Sequence, residues 1–324
     1  MEEKQLFFLL VFLAITFVVV VYINYKMDKT KESMQAHTIL TLSTTFKNDP
    51  SKFHIYSSTL RNWAMLKPRV QLILYTHETD ENLIKLAASL GWLIVDCPRV
   101  TEFKVPYFKE MLYELPKHAD SVFYGFSNGD ILFDEGLVDT LTTVEKYLNY
   151  LEDVLVIGQR YNVNFMGEEL YKPEDVRTTA HEKGELFTPF AIDYFLIAHN
   201  RFVWDKLADV IIARPAYDNY VVTTAINNDV PVVDATDTLL AVHLTGSDGI
   251  YAGSKNKGTV NFNRETIGKF MMSRGYTNSS QYITKLSGNQ IELWQRYPSK
   301  KIPLEPRTKR ARSGRRATFI PKVY

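Results

Sequence analysis

The stretch FYGFSNGDILFD, Phe123–Asp134, carries an apolar run up to the carboxylate of Asp130. In a parallel α/β sheet, ligands lie beyond the carboxyl ends of the strands, so a carboxylate there is placed to hold a cation. The same letters allow a second reading. Asn128-Gly129 between apolar arms is a strong signal for a two-residue type I′ hairpin. Its return arm, Ile131–Phe133, is short, because Asp134-Glu135 opens a helix directly after it. Asp193, in AIDYFLI, is a carboxylate inside an otherwise apolar strand. Leaving it unpaired would be costly, so it must reach a pocket, a cation or backbone donors. Asp218, in RPAYDNY, stands where it can cap the helix that follows. His243, in AVHLTGSDG, follows an apolar strand and precedes a glycine-containing loop, and its plain reading is a core histidine bonded to backbone.

These residues need a scaffold, and the sequence supplies an alternating one. Strands are expected over His37–Thr44, Val70–Thr76, Trp92–Cys97, Ser121–Ser127, Val154–Gln159, Ala191–Ala198 and Val230–Asp234. Helical patterns fill Ser51–Leu66, Thr79–Gly91, Tyr107–Leu115, Glu135–Leu151, Arg201–Ile212 and Asp218–Asn228. Strands apolar on both faces, alternating with helices, imply a mainly parallel sheet covered on both sides. Arg160–Leu186 is polar and reads as an irregular insertion or active-site loop. No linker interrupts residues 36–298, which are expected to form one domain.

The termini differ from this body. Leu6–Ile23 is eighteen residues without a charge, which at 1.5 Å per residue spans about 27 Å, enough for a thin bilayer. The expectation is an uncleaved anchor over residues 6–23, after a short tail at 1–5 and before a polar stem at 24–35. The lysines that follow it, Lys26, Lys29 and Lys31, would by charge alone keep the remainder in the cytosol. Residues 299–324 hold nine Lys or Arg against one Glu, net +8, in a chain whose total is +1; the rest is therefore at −7. The basic end reads as a disordered tail, and the acidic body argues against nucleic acid as a partner. A single cysteine, Cys97, excludes an intramolecular disulfide.

FYGFSNGDILF resembles the segment of GT-A-type glycosyltransferases that carries the Asp-x-Asp motif. The resemblance extends over roughly Ala36 to Gly258, through TLSTTF, RNWAMLKPRVQLILYT, TPFAIDYFLI, RPAYDNYVV and AVHLTGSDG in that order. It implies a GT-A-like, Rossmann-type fold preceded by one transmembrane helix. It implies sugar transfer from a nucleotide-sugar donor, most readily a UDP-sugar, to a glycan, protein or lipid acceptor. A divalent cation, manganese or alternatively magnesium, would offset the charge of the leaving diphosphate. By resemblance Asp130 and His243 are its ligands, and Asn128, which stands where the family has an acidic residue, contacts ribose. Thr41, Ser43, Thr44 and Asn62 would cradle the nucleotide. Asp218 would be the general base of an inverting transfer, and Asp193 would bind substrate hydroxyls. An anchor and stem before such a domain match a single-pass type II enzyme of the Golgi or ER with a lumenal domain, where Asn278-Ser279-Ser280 would be a usable glycosylation sequon. The alternative is a catalytically inactive relative that binds a glycan or a partner protein, and Asn128 is its best support.

Overall fold

The computed structural model describes residues 37–301, apart from 152, 166, 199–203, 248, 250–254, 256–257, 270–272 and 297–299, together with a few helical positions between 13 and 22. The expected anchor, stem and basic tail therefore lie almost wholly outside the described residues. Among those described, no helix is long and apolar enough to cross a membrane.

Fourteen strands are described: β1 Leu40–Thr45, β2 Val70–Thr76, β3 Leu93–Asp96, β4 Phe123–Ser127, β5 Ile131–Phe133, β6 Val154–Ile157, β7 Tyr161–Asn164, β8 Glu185–Leu186, β9 Tyr194–Ala198, β10 Val232–Asp234, β11 Ala241–Thr245, β12 Tyr282–Ser287, β13 Gln290–Gln295 and β14 Lys300–Lys301. Eight α-helices are described with them: α1 Phe53–Ala64, α2 Glu81–Ser89, α3 Phe108–Glu114, α4 Gly136–Glu145, α5 Leu148–Leu151, α6 Pro173–Lys183, α7 Tyr217–Asn227 and α8 Phe262–Ile267. Ten strands form one sheet in the order β14-β13-β12-β10-β6-β9-β4-β1-β2-β3. Strands β3, β2, β1 and β4 run parallel, as do β6, β10 and β12. Strand β9 is inserted antiparallel between β4 and β6. The expected α/β architecture with a large, mainly parallel sheet is present.

Alternation along the strands separates two cores. Leu72, Leu74, Val154, Val156 and Leu196 face one layer with Leu60, Trp63 and Leu137 of α1 and α4. Ile73, Tyr75, Leu155, Ile157 and Phe195 face the other with Phe108, Met111, Val221 and Val222 of α3 and α7.

Two expectations are corrected, and the second reading of Asn128-Gly129 is set aside. Arg160–Leu186 is no irregular loop: β7, β8 and α6 lie inside it, and β7 and β8 join β5 and β11 in a second sheet, ordered β5-β11-β7-β8. The type I′ hairpin is absent. Strand β5 pairs with β11, not β4, and neither Asn128 nor Gly129 has a positive φ. A helix over Arg201–Ile212 does not form in its described part. Only Trp204–Lys206 makes a 3-10 turn, and Ile211 is held extended, bridging Tyr107. The cause is tertiary: buried Asn263 takes Ile211 N–H on Oδ1 at 2.8 Å and donates to its carbonyl at 2.9 Å. Strand β14 also carries the sheet just past the boundary expected at residue 298.

Candidate active site

Helix α1 sets the position of Asp130. Three of its side chains, spaced i, i+3, i+4, grip the segment after β4. Thr59 Oγ1 donates to Gly129 O at 2.8 Å, Trp63 Nε1 to Ile131 O at 2.9 Å, and Asn62 Nδ2 to Phe133 O at 2.9 Å, while Asn62 Oδ1 accepts from Phe133 N at 2.8 Å. Gly129 is required here by space, since a Cβ would stand 2.6 Å from the Phe46 ring. The other edge of β5 pairs with β11, with His243 opposite Ile131, and Leu244 N donates to Asp130 O at 2.9 Å.

The result is a convergence on one carboxylate oxygen. His243 Nε2 lies 3.4 Å and Lys52 Nζ 3.7 Å from Asp130 Oδ2, with the Asp130 side chain only 17% exposed. Burial alone would raise its pKa. The facing imidazole, Lys52 and Arg160 outweigh that and hold the carboxyl well below the usual range. His243 is thus a cleft residue whose Nδ1 also meets Thr245 Oγ1 at 3.2 Å.

Asp193 precedes β9. Because β9 is antiparallel, its start lies at the same edge as the carboxyl ends of the parallel strands. Its carboxylate is paired: Arg160 Nη1 donates to Oδ2, and Asn128 Nδ2 to Oδ1 at 2.6 Å. Asn128 Oδ1 in turn accepts from Tyr217 at 3.3 Å. An aspartate at 128 would set two carboxylates within hydrogen-bond distance, so an amide suits this position. Asp218 lies in the first turn of α7, where it accepts from Ile192 N at 3.4 Å. The residue before the helix, Ala216, is left-handed at φ 80° and no side chain caps it. Burial pushes the Asp218 carboxyl up to about 7, with Asp193 adding to the rise and backbone donors opposing it.

Asp130, His243, Asn128, Asp193 and Asp218 line one cleft of roughly 750 Å³, a size that suits a small-molecule ligand. Four of the five non-glycine residues with positive φ among those described, Glu78, Lys104, Ala213 and Ala216, line it too. Backbone strain of this kind concentrates at ligand sites.

Thr41, Ser43, Thr44 and Asn62, expected to cradle the nucleotide, are not among the residues that line this cleft. Thr41 is bonded to Ser121 Oγ at 2.7 Å and Ser43 to Gly125 O at 3.0 Å, both fully buried. Thr44 is fully buried, and Asn62 is used up in gripping β5 and Tyr171 O. The next residues, Thr45 to Asp49, line the cleft instead. Lys52, Arg160 and Tyr217 were missed. Lys52 and Arg160 follow the ends of β1 and β6, and that position was the signal that could have found them.

The donor set can be tested against a divalent cation. One carboxylate and one imidazole suit manganese or another borderline ion better than all-oxygen-seeking magnesium, with diphosphate oxygens and water to complete the shell. They do not make a closed cage: among the described residues no group of three or more His, Cys, Asp or Glu converges.

Fold and site together define an α/β protein with a charged ligand cleft at the carboxyl edge of its main sheet. No protein family and no curated protein matches the chain. Among solved structures it is similar to glucosyl-3-phosphoglycerate synthase from Mycobacterium tuberculosis in complex with Mn2+, UDP and phosphoglyceric acid, at 14% identity and a TM-score of 0.43, covering 85% of this chain and 90% of that one. A mycobacterial protein gives 13% and 0.43, covering 82% and 86%. S. aureus TarS gives 16% and 0.28, covering 40% and 23%. No residue of this chain takes a role from these likenesses.

Proposed function

We propose that this chain is a glycosyltransferase that moves a sugar from a nucleotide-diphosphate donor to an acceptor hydroxyl, held at a membrane by residues 6–23 with its domain in the Golgi or ER lumen. The carrying observation is the Asp130–His243 pair in a cleft that Asp218, a carboxyl shifted to about 7, also lines. Asp130 and His243 would hold a divalent cation, which when bound offsets the charge that develops on the leaving diphosphate. Asp218 accepts the proton of the acceptor hydroxyl, since a base works best with a pKa near the working pH. Asp193, fixed by Arg160 and Asn128, holds that polar cluster in place and raises Asp218 by its negative charge.

The test is a thermal-shift panel of UDP, GDP and CMP with and without manganese. A stabilisation by UDP that needs manganese, and is lost in Asp130→Asn, is expected. No shift by any nucleotide, or an unchanged shift in Asp130→Asn, overturns the assignment.

A further inference from the structure

Arg214 lines the cleft in the segment that leads into α7, and it is partly buried there. Its Nε donates to buried Thr259 Oγ1, and its Nη1 donates to Ala213 O at 2.7 Å. Neither partner carries a charge, and a guanidinium has five donors to place. Lys47, Lys52, Lys104 and Arg160 line the same cleft, and each stands beside a carboxylate, Asp49, Asp130, Glu78 and Asp193 in turn. Arg214 has no such carboxylate among the described residues, and burial lowers its pKa with no neighbouring charge to raise it. Taking a cation partly out of water without an anion is costly. The backbone that presents it is costly too. Ala213 and Ala216, on either side, have φ 52° and 80°, a region that residues with a Cβ avoid. Fully buried Asn263 fixes the segment, donating Nδ2 to Ile211 O at 2.9 Å and to Arg214 O and Pro215 O at 3.3 Å. Strain of this kind persists where a side chain must be held for a ligand.

Resting on the glycosyltransferase reading, we propose that Arg214 binds an anionic group of the acceptor, so that the acceptor is a hydroxyl compound bearing a phosphate, sulfate or carboxylate. A planar guanidinium with free donors matches two oxygens of such a group. An anion in the cleft could also come from the donor diphosphate. That source fits less well, because the cation at Asp130 and His243 already offsets its charge. Arg214 instead belongs to the segment of Asp218, the residue that takes the acceptor's proton. It precedes Asp218 by four residues, so their Cα atoms are at most about 14 Å apart. One acceptor can therefore present its hydroxyl to the base and its anionic group to the arginine. Exposed Arg264 of α8 lines the same cleft and adds to the positive field there.

The probe is sulfate, titrated at constant ionic strength into the full chain with and without saturating UDP and manganese. Wild type should bind sulfate equally in both conditions, because the acceptor anion and the donor occupy different parts of the cleft. In Arg214→Met sulfate binding should weaken roughly tenfold or more, as expected for loss of a charge-assisted contact. Arg214→Lys keeps the charge and should restore most of that binding, a rescue that a purely structural arginine would not give. Wild type that binds UDP with manganese but not sulfate, or sulfate affinity unchanged in Arg214→Met, overturns the proposal and leaves the glycosyltransferase reading intact. Sulfate that competes with UDP, or UDP binding weakened in Arg214→Met, assigns the arginine to the donor diphosphate and overturns the acceptor role. Should Arg214→Met not fold, the wild-type competition between sulfate and UDP decides alone. Failure of the wild type to bind UDP with manganese overturns both readings.

Discussion

Asp218 is the residue whose chemistry the structure states most directly. Its carboxyl titrates near 7 because burial, reinforced by Asp193, disfavours its charge. In the unfolded chain it returns to the ordinary value of about 3.8. Between those values the folded protein holds a proton that the unfolded chain has released. Stability from this group therefore falls as the pH rises from about 4 to 7, and the full cost stands above 7. Asp218→Asn mimics the protonated form. Its melting temperature relative to wild type should rise more at pH 8 than at pH 5, while sugar transfer is lost and the wild-type rate climbs through pH 7. Equal differences at both pH values, or a rate flat across pH 6 to 8, would refute the assignment. At this scale the sequence was partly legible. Asp130, His243, Asn128, Asp193 and Asp218 all reach one cleft, because chain order and strand ends place them. Thr41, Ser43 and Thr44 do not. Hydroxyls on a central strand are equally suited to a ligand or to the core, and only packing distinguishes the two.

At the scale of elements, the grip of α1 on the Gly129–Phe133 segment links fold to site. Asn62 is fully buried and makes three hydrogen bonds with that segment and with Tyr171 O. Truncation leaves Phe133 N–H and two carbonyls to find other partners. Each buried group left unsatisfied costs on the order of 1–3 kcal/mol. Asn62→Ala is thus expected to lose about 3 kcal/mol and to weaken metal-dependent UDP binding, because β5 begins beside Asp130. Chemical denaturation and nucleotide titration measure the two effects. A fully stable variant would refute the grip, and a destabilised one with wild-type affinity at low temperature would show that it does not reach the site. The alternating α/β pattern was readable, because apolar strand periodicity survives in the letters. The second sheet was not. Strand β7, YNVN, is short and polar, and α6, PEDVRTTAHEK, buries only Pro173, Val176 and Ala180. The β12–β13 hairpin did leave a signal, Gly288-Asn289 between alternating arms, with Gly288 at φ 60°.

For the whole molecule, the folding unit is defined by where the main sheet closes. Strand β1 lies inside it between β2 and β4, so the chain from His37 onward is indispensable, and Ile39 N already bonds Arg69 O at 2.9 Å. At the other end, β12 pairs with β10, and β13 sends fully buried Leu293 into the layer shared with α4. Arg296 ties the hairpin back, donating to Asp234 Oδ2 at 2.5 Å. A polypeptide of residues 37–301 should therefore fold without detergent and, under the proposed function, bind UDP with manganese. One ending at residue 281 should not. It would uncover the β10 edge, strip about 2 kcal/mol of burial at Leu293 alone, and leave Asp234 without its arginine. Circular dichroism melting and nucleotide titration on both polypeptides check this. Aggregation of 37–301 would mean that residues outside it belong to the folding unit, and a cooperative melt from the shorter chain would mean that the β12–β13 hairpin does not.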